Sequence, residues 1–295
     1  MSYNVGLVSL GCAKNLVDSE IMLGLIERGN YTITKDHAKA DIIIINTCGF
    51  IESAKEESID TILQLGQFKE NGNLKALIAT GCLSERYKEE LLKEIPELDA
   101  VVGTGDYENI IKIIEDTLKG EKVCAYGHID RSFDESLPRK VSTPKYTAYI
   151  KIGDGCDNHC TYCIIPYLRG KYRSRKIEDI KREVVQLVHN GVKEIIIIAQ
   201  DITQYGIDLY EKHSLPMLLR ELEKIEDLRW IRLLYVYPEN IDEDLIDVIK
   251  NSEKVLHYLD IPLQHTEDSV LKKMARRTTK TKIINLINSL RREIP

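Results

Sequence analysis

The sequence predicts an α/β protein built on parallel sheets, and three observations carry that prediction. Apolar runs at 5–10, 41–46 and 74–80 are continuous rather than alternating, which is how strands buried on both faces read. Each run is followed by an amphipathic stretch, at 19–28, 51–65 and 85–95, so strand and helix alternate as in βαβ units. The alternation resumes further on, where strands at 147–152, 194–199, 229–234 and 255–261 interleave with helices at 176–190, 216–225, 243–251 and 267–273. Residues 1–127 therefore read as an N-terminal parallel-sheet domain and residues 146–295 as a partial (βα) barrel. Between them, 128–145 is polar, carries Pro138 and Pro144, and reads as a linker. With 295 residues and 43% hydrophobic content the chain is long enough to bury two cores.

Each of the three apolar runs of the first half leads into a cysteine: Gly11-Cys12, Thr47-Cys48-Gly49 and Gly81-Cys82. In an open parallel sheet, ligands bind outside the carboxyl ends of the strands. Cys12, Cys48 and Cys82 are thus predicted to share one edge, and three thiols gathered there suggest an iron–sulfur cluster. The alternative is that they only pack, as free cysteines commonly do. The seventh cysteine, Cys124, falls in a predicted short edge strand at 121–126 and reads as a packing residue.

The first barrel strand leads into Gly155-Cys156-Asp-Asn-His-Cys160-Thr-Tyr-Cys163, a C-x3-C-x2-C spacing. Three thiolates this close can hold three irons of a [4Fe–4S] cube and leave the fourth iron open. An open iron at a strand end is what radical S-adenosylmethionine (SAM) chemistry needs, because it can chelate the methionine part of SAM and pass it an electron. A zinc site is the alternative, with His159 as fourth ligand; zinc prefers a closed tetrahedral set, and no second C-x2-C pair follows.

Working residues of a βα barrel cluster at the C-terminal ends of its strands. That rule points to Gln200 and Asp201, to Tyr235 to Tyr237, and to Gln264 and His265, with a turn or helix cap as the plainer reading of Gln200. The basic run Arg169, Lys171, Arg173, Arg175 and Lys176 could hold a carboxylate, since guanidinium groups bind carboxylates bidentately; otherwise it is a solvated face.

Composition narrows the class. A net charge of −6 argues against nucleic-acid binding through bulk charge, although residues 266–295 set eight Lys and Arg against three acidic residues. No apolar run approaches the ~20 residues of a membrane span, and the N-terminus does not read as a signal peptide. Seven cysteines in such a chain read as metal ligands rather than disulfides, which suits a cytoplasmic enzyme.

Taken together, the runs Ser9 to Glu20, Asn46 to Ile51, Gly81 to Arg86, Gly155 to Gly170 and Asp260 to His265 resemble the radical SAM methylthiotransferases over essentially the whole chain. The Cys-Ala-Lys-Asn opening and the 260–265 run fit the branch that adds a methylthio group to the β-carbon of an aspartate in a small-subunit ribosomal protein. Sister branches modify adenosines of transfer RNA. The resemblance implies two [4Fe–4S] clusters, an auxiliary one on Cys12, Cys48 and Cys82 and a SAM-cleaving one on Cys156, Cys160 and Cys163, with Gln200 near the SAM amino group. It also implies that one SAM methylates a sulfur at the auxiliary cluster while another gives the radical that takes hydrogen from the target carbon. No single side chain is implied as catalytic. The implied partners are the ribosomal protein and a reductant such as flavodoxin or ferredoxin, with no membrane and no direct nucleic-acid binding. Members of the family normally continue with further barrel strands and a small all-β domain, whereas this chain stops at Pro295, so it reads as truncated. The alternatives are a transfer RNA adenosine methylthiotransferase and an iron–sulfur-binding fragment without turnover.

Overall fold

The computed structural model, which describes residues 3–295, separates the chain into two units. One runs to Ser142 and takes in Tyr167–Arg169; the other comprises Thr143–Pro166 and Gly170–Pro295.

Six strands form the sheet of the first unit: β1 (Asn4–Ser9), β2 (Thr32–Ile33), β3 (Ile42–Thr47), β4 (Ala76–Gly81), β5 (Ala100–Val102) and β6 (Val123–Ala125). They pair in parallel in the order β2-β1-β3-β4-β5-β6. The four consecutive isoleucines of β3 explain why this strand is central. Ile42 and Ile44 point into one core with Val5, Ile78 and Val102, while Ile43 and Ile45 point into a second core with Leu77, Ala79 and Val101. A strand covered on both faces needs no polar alternation, and β-branched side chains suit its pleat.

Helices α1 (Ala13–Arg28), α2 (Glu52–Gly66), α3 (Phe68–Asn71), α4 (Cys82–Tyr87), α5 (Glu89–Glu94) and α6 (Ile110–Leu118) cover the sheet. Met22 and Ile26 of α1 pack with Ile110, Ile113 and Ile114 of α6 on the first core, and Ile62 and Leu65 of α2 close the second. The single amphipathic stretch expected at 85–95 is two helices, because Lys88 sits at φ +49° between α4 and α5 and a left-handed residue interrupts a helix. Cys124 also departs from expectation: it lies on the edge strand β6 as foreseen, but it is exposed rather than packed. Strand alternation turns Val123 and Ala125 to the core and Cys124 outward.

Part of the interval expected to be free linker is pinned to α1. Glu20, fully buried, accepts hydrogen bonds from Arg139 at 2.6 and 2.9 Å and from the Ser142 amide and hydroxyl at 2.6 and 2.8 Å.

In the second unit, β7 (Thr147–Lys151), β10 (Glu194–Ile198), β11 (Trp230–Leu233) and β12 (Val255–Leu259) form a parallel sheet in the order β12-β11-β10-β7. The two-residue strands β8 (Gly153–Asp154) and β9 (Arg173–Ser174) pair antiparallel. Helix α7 is Ile165–Arg169, of which Tyr167–Arg169 count with the first unit; α8 (Ile177–His189), α9 (Ile207–Tyr210), α10 (Leu215–Glu223) and α11 (Glu243–Asn251) alternate with the strands, and α12 (Asp268–Lys273) and α13 (Lys280–Glu293) follow. In α8 the residues Ile177, Ile180, Val184, Leu187 and Val188 are buried, an apolar stripe at helical period. Asp242 starts α11 by accepting from the Leu245 amide at 2.9 Å. Among the described residues no helix is long and apolar enough to cross a membrane.

Candidate functional site

β1, β3 and β4 are neighbours in the sheet, and Cys12, Cys48 and Cys82 follow their carboxyl ends, so all three thiols stand on one edge of the first unit. Two glycines bring the loops together. Gly11 has φ +84°, and a β-carbon there would come within 2.8 Å of Cys48 Cβ and 3.1 Å of its Sγ. At Gly49 a β-carbon would meet the Cys82 carbonyl oxygen and the Leu83 backbone at 2.9 Å. Only the missing side chains allow this approach.

Behind the thiols lies a buried polar core. The Asn15 amide donates to the carbonyls of Leu10 at 3.1 Å and Thr47 at 3.0 Å, which ties the Cys12 loop to the Cys48 loop. The Asn46 amide donates to the Asn15 carbonyl at 2.8 Å, and Ser58 Oγ accepts from the Cys48 amide at 3.0 Å. Arg169, 4% exposed, donates to Asp18 and to Asn15 Oδ1 at 2.6 Å each, and its Nη2 is 3.7 Å from Cys82 Sγ. Arg169 therefore does not serve with a basic carboxylate-binding run. Arg175 is likewise committed, to Glu183 and the Lys151 carbonyl.

Burial pushes the Cys82 thiol up to about 11; the Arg169 charge opposes this, while the charges of Cys12 and Cys48 add to it. Cys48 is raised by burial, with Cys12 adding and Arg169 opposing. Thiols raised as Cys48 and Cys82 are hold their protons until a cation supplies the balancing charge.

In the second unit the cysteine loop leaves β7 through β8, and its return through β9 closes its base. The Cys156 amide donates to the Gly170 carbonyl at 3.1 Å, the Cys163 amide donates to the Cys160 carbonyl at 3.0 Å, and Thr161 is held by the carbonyls of Lys273 and Met274. Asn158 donates to Asp201 at 3.0 Å. Asp201 is fully buried and also accepts from Thr203 and Gln204, so it is a hub that fixes the loop; its burial raises its carboxyl. The Cys156 thiol is pushed up to about 11 by burial, with the charges of Asp201 and Cys163 adding, and Cys163 is raised by burial and by Cys160.

Gln200, just past the end of β10, donates to Asp154 at 2.7 Å and leaves its own buried carbonyl oxygen without a hydrogen-bond partner. Beside Cys160 lies a cavity of about 410 Å³, bordered among others by Asn158, Tyr172, Tyr237 and Arg276. Tyr172 is buried and its hydroxyl has no partner. Tyr237 joins this cavity as the barrel rule anticipates, but Gln264 and His265 are exposed and do not border it. Sequence reasoning missed Arg276, whose guanidinium is buried, ion-paired with Glu239 at 3.0 Å and stacked 4.3 Å over Tyr237; nothing in its basic surroundings sets it apart.

Among the described residues no three His, Cys, Asp or Glu side chains close on a single metal ion. Each set offers three thiols, the donor number that holds three irons of a four-iron cube and leaves the fourth open.

Residues 4–103 match the family described as Uncharacterized protein family UPF0004, and residues 150–295 match the Radical SAM superfamily. The ribosomal protein uS12 methylthiotransferase RimO of a Thermoanaerobacter species is 58% identical over 98% of this chain and 66% of its own length. That of Caldanaerobacter subterraneus is 60% identical over the same shares, and that of Clostridioides difficile 55% identical over 99% of this chain and 66% of its own. The chain thus spans 66% of the length of these curated relatives. A solved radical S-adenosylmethionine methyltransferase, TsrM from Kitasatospora setae, with cobalamin and a [4Fe-4S] cluster bound, shares the fold. Its TM-score is 0.63 at 14% identity, covering 99% of this chain and 65% of that one. With two thiol sets at strand ends, both matching regions and these identities, the chain belongs to the radical SAM methylthiotransferase family.

Proposed function

We propose that the protein replaces a hydrogen on the β-carbon of an aspartate of ribosomal protein uS12 with a methylthio group. The observation that carries this reading is the pair of three-thiol sets, one at the strand ends of the first unit and one in the loop after β7. Cys12, Cys48 and Cys82 would hold an auxiliary [4Fe–4S] cluster, and Cys156, Cys160 and Cys163 the cluster that meets SAM. The domain containing the first set spans 1–127, with 128–145 as the connection to the second domain at 146–295. When bound, the clusters and SAM supply the sulfur, the methyl group and the carbon radical; the aspartate Cβ–H bond breaks and a Cβ–S bond forms.

The chain's own residues bind and orient. Asn158 and Asp201 fix the cysteine loop, and the Gln200 carbonyl oxygen, lacking a donor, is available to the SAM ammonium group. The cavity beside Cys160 falls within the 300–1,000 Å³ range of small-molecule sites, and Cys160, Tyr172, Gln204 and Arg276 form its buried side. A flavodoxin- or ferredoxin-type reductant supplies the electron, and the ribosomal substrate puts the work in the cytoplasm.

The test is an anaerobic reaction of the full-length, cluster-loaded protein with SAM, sulfide and dithionite, offered small ribosomal subunits and transfer RNA together. The expected product is one methylthio group on an aspartate of uS12, read by peptide mass spectrometry. Methylthiolated adenosine with unmodified uS12 would instead establish the transfer RNA reaction.

A further inference from the structure

A buried guanidinium needs anions to answer it, because its desolvation is costly. Arg169 has Asp18 at 2.6 Å on Nη1, yet its Nη2 is directed at Asn15 Oδ1, also at 2.6 Å, and at Cys82 Sγ at 3.7 Å. Asn15 in turn grips the carbonyls before Cys12 and Cys48 and accepts from Cys82 Sγ at 3.7 Å. One charged group and one amide therefore touch all three cysteine loops from behind. Both sit at the dry end of the site, with Arg169 and Asn15 4% and 1% exposed.

We propose that Arg169, held by Asp18 and Asn15, is a positioning residue of the auxiliary cluster: it orients the Cys82 thiolate and lends the positive charge that makes this cluster easier to reduce. The inference rests on the reading that Cys12, Cys48 and Cys82 hold a cluster. Cluster potentials follow net charge, hydrogen bonds to sulfur and exposure to solvent, and Arg169 acts on the first two. One-electron reduction adds a negative charge, and a fixed buried cation nearby favours the reduced form. Asp18 works in the opposite sense, as the counter-charge that limits the effect. Lysine cannot reproduce the fork, because its ammonium is a point charge and cannot span two acceptors in one plane.

The experiment is a redox titration followed by electron paramagnetic resonance on the full-length, cluster-loaded protein. Each cluster is read alone in a background where the other site's three cysteines are Ala. Arg169→Gln is expected to shift the reduction equilibrium of the auxiliary cluster at least tenfold toward the oxidised form, 59 mV for a one-electron couple. Arg169→Lys should fall between it and the native protein, and Asp18→Asn should shift the equilibrium toward the reduced form. The SAM-binding cluster should keep its potential in all three. If Arg169→Gln fails to load iron, Asp18→Asn, which keeps the guanidinium, carries the test. An auxiliary potential unmoved by Arg169→Gln and Asp18→Asn, with its iron retained, would overturn the inference and leave the cluster assignment standing. Absence of iron from this site in the otherwise native protein would overturn the assignment itself and the inference with it.

Discussion

Cys82 shows how much a single residue can disclose from sequence and how much it cannot. Its place after an apolar run, beside a glycine, is enough to pair it with Cys12 and Cys48. Its surroundings are a different matter. Asn15 and Asp18 stand three apart on α1 and so share a helix face, but the guanidinium they hold lies 154 and 151 residues away along the chain. No local pattern connects such partners, and the basic residues around Arg169 point instead to a carboxylate site, from which Arg169 and Arg175 are withheld by partners inside the protein. Asp41 is a residue-scale case with a pH signature. Burial alone would push its carboxyl up, but the Asn4 amide at 2.9 Å and the Lys75 ammonium at 3.0 Å outweigh this and hold it below its ordinary value. A group lowered on folding contributes stability above its unfolded pKa and loses it as the pH falls through the folded one. Asp41→Asn should therefore lower stability near neutral pH by about 1.5–3 kcal/mol, typical of a hydrogen bond to a charged group, and the gap to the native protein should close as the pH falls below about 4. Urea denaturation of both proteins across that range checks it. A gap independent of pH would mean that the carboxylate charge is not what ties these strand starts together.

At the scale of elements, long apolar runs were legible because parallel strands covered on both faces have no other way to read. β3 and its two isoleucine faces are the clearest case. The short pieces were not legible: β8 and β9 are two residues each and exist only because the ends of the cysteine loop meet. Cys124 escapes the sequence for a related reason, since a packing residue and an outward-facing one on an edge strand look alike until the register is fixed. The loop between β1 and α1 carries the element-scale prediction. Gly11→Ala puts a side chain at φ +84° with its β-carbon 2.8 Å from Cys48 Cβ. The strained backbone alone should cost ~1–3 kcal/mol. Because the clash is with a candidate ligand, iron binding to the first unit should weaken while the second cysteine set loads as before. Iron analysis of Gly11→Ala in a background lacking Cys156, Cys160 and Cys163, against the same background alone, makes the comparison. Equal loading would show that the close approach of these loops is not needed for the site.

The whole molecule carries two thiol sets of equal size, one for each of two separate parallel sheets, in a chain belonging to the radical SAM methylthiotransferases. Composition and spacing made both sets visible, while the partners that orient them and the cavity beside Cys160 emerged only from the fold. The most direct measurement is iron and sulfide content after anaerobic reconstitution, with electron paramagnetic resonance, on three proteins: native, Cys12/Cys48/Cys82→Ala and Cys156/Cys160/Cys163→Ala. Two cubes on two three-thiol sets predict about eight irons in the native protein and about four in each triple variant, with SAM perturbing the spectrum only where Cys156, Cys160 and Cys163 remain. A native protein with about four irons, a triple variant that keeps all of its iron, or zinc in place of iron would contradict the account.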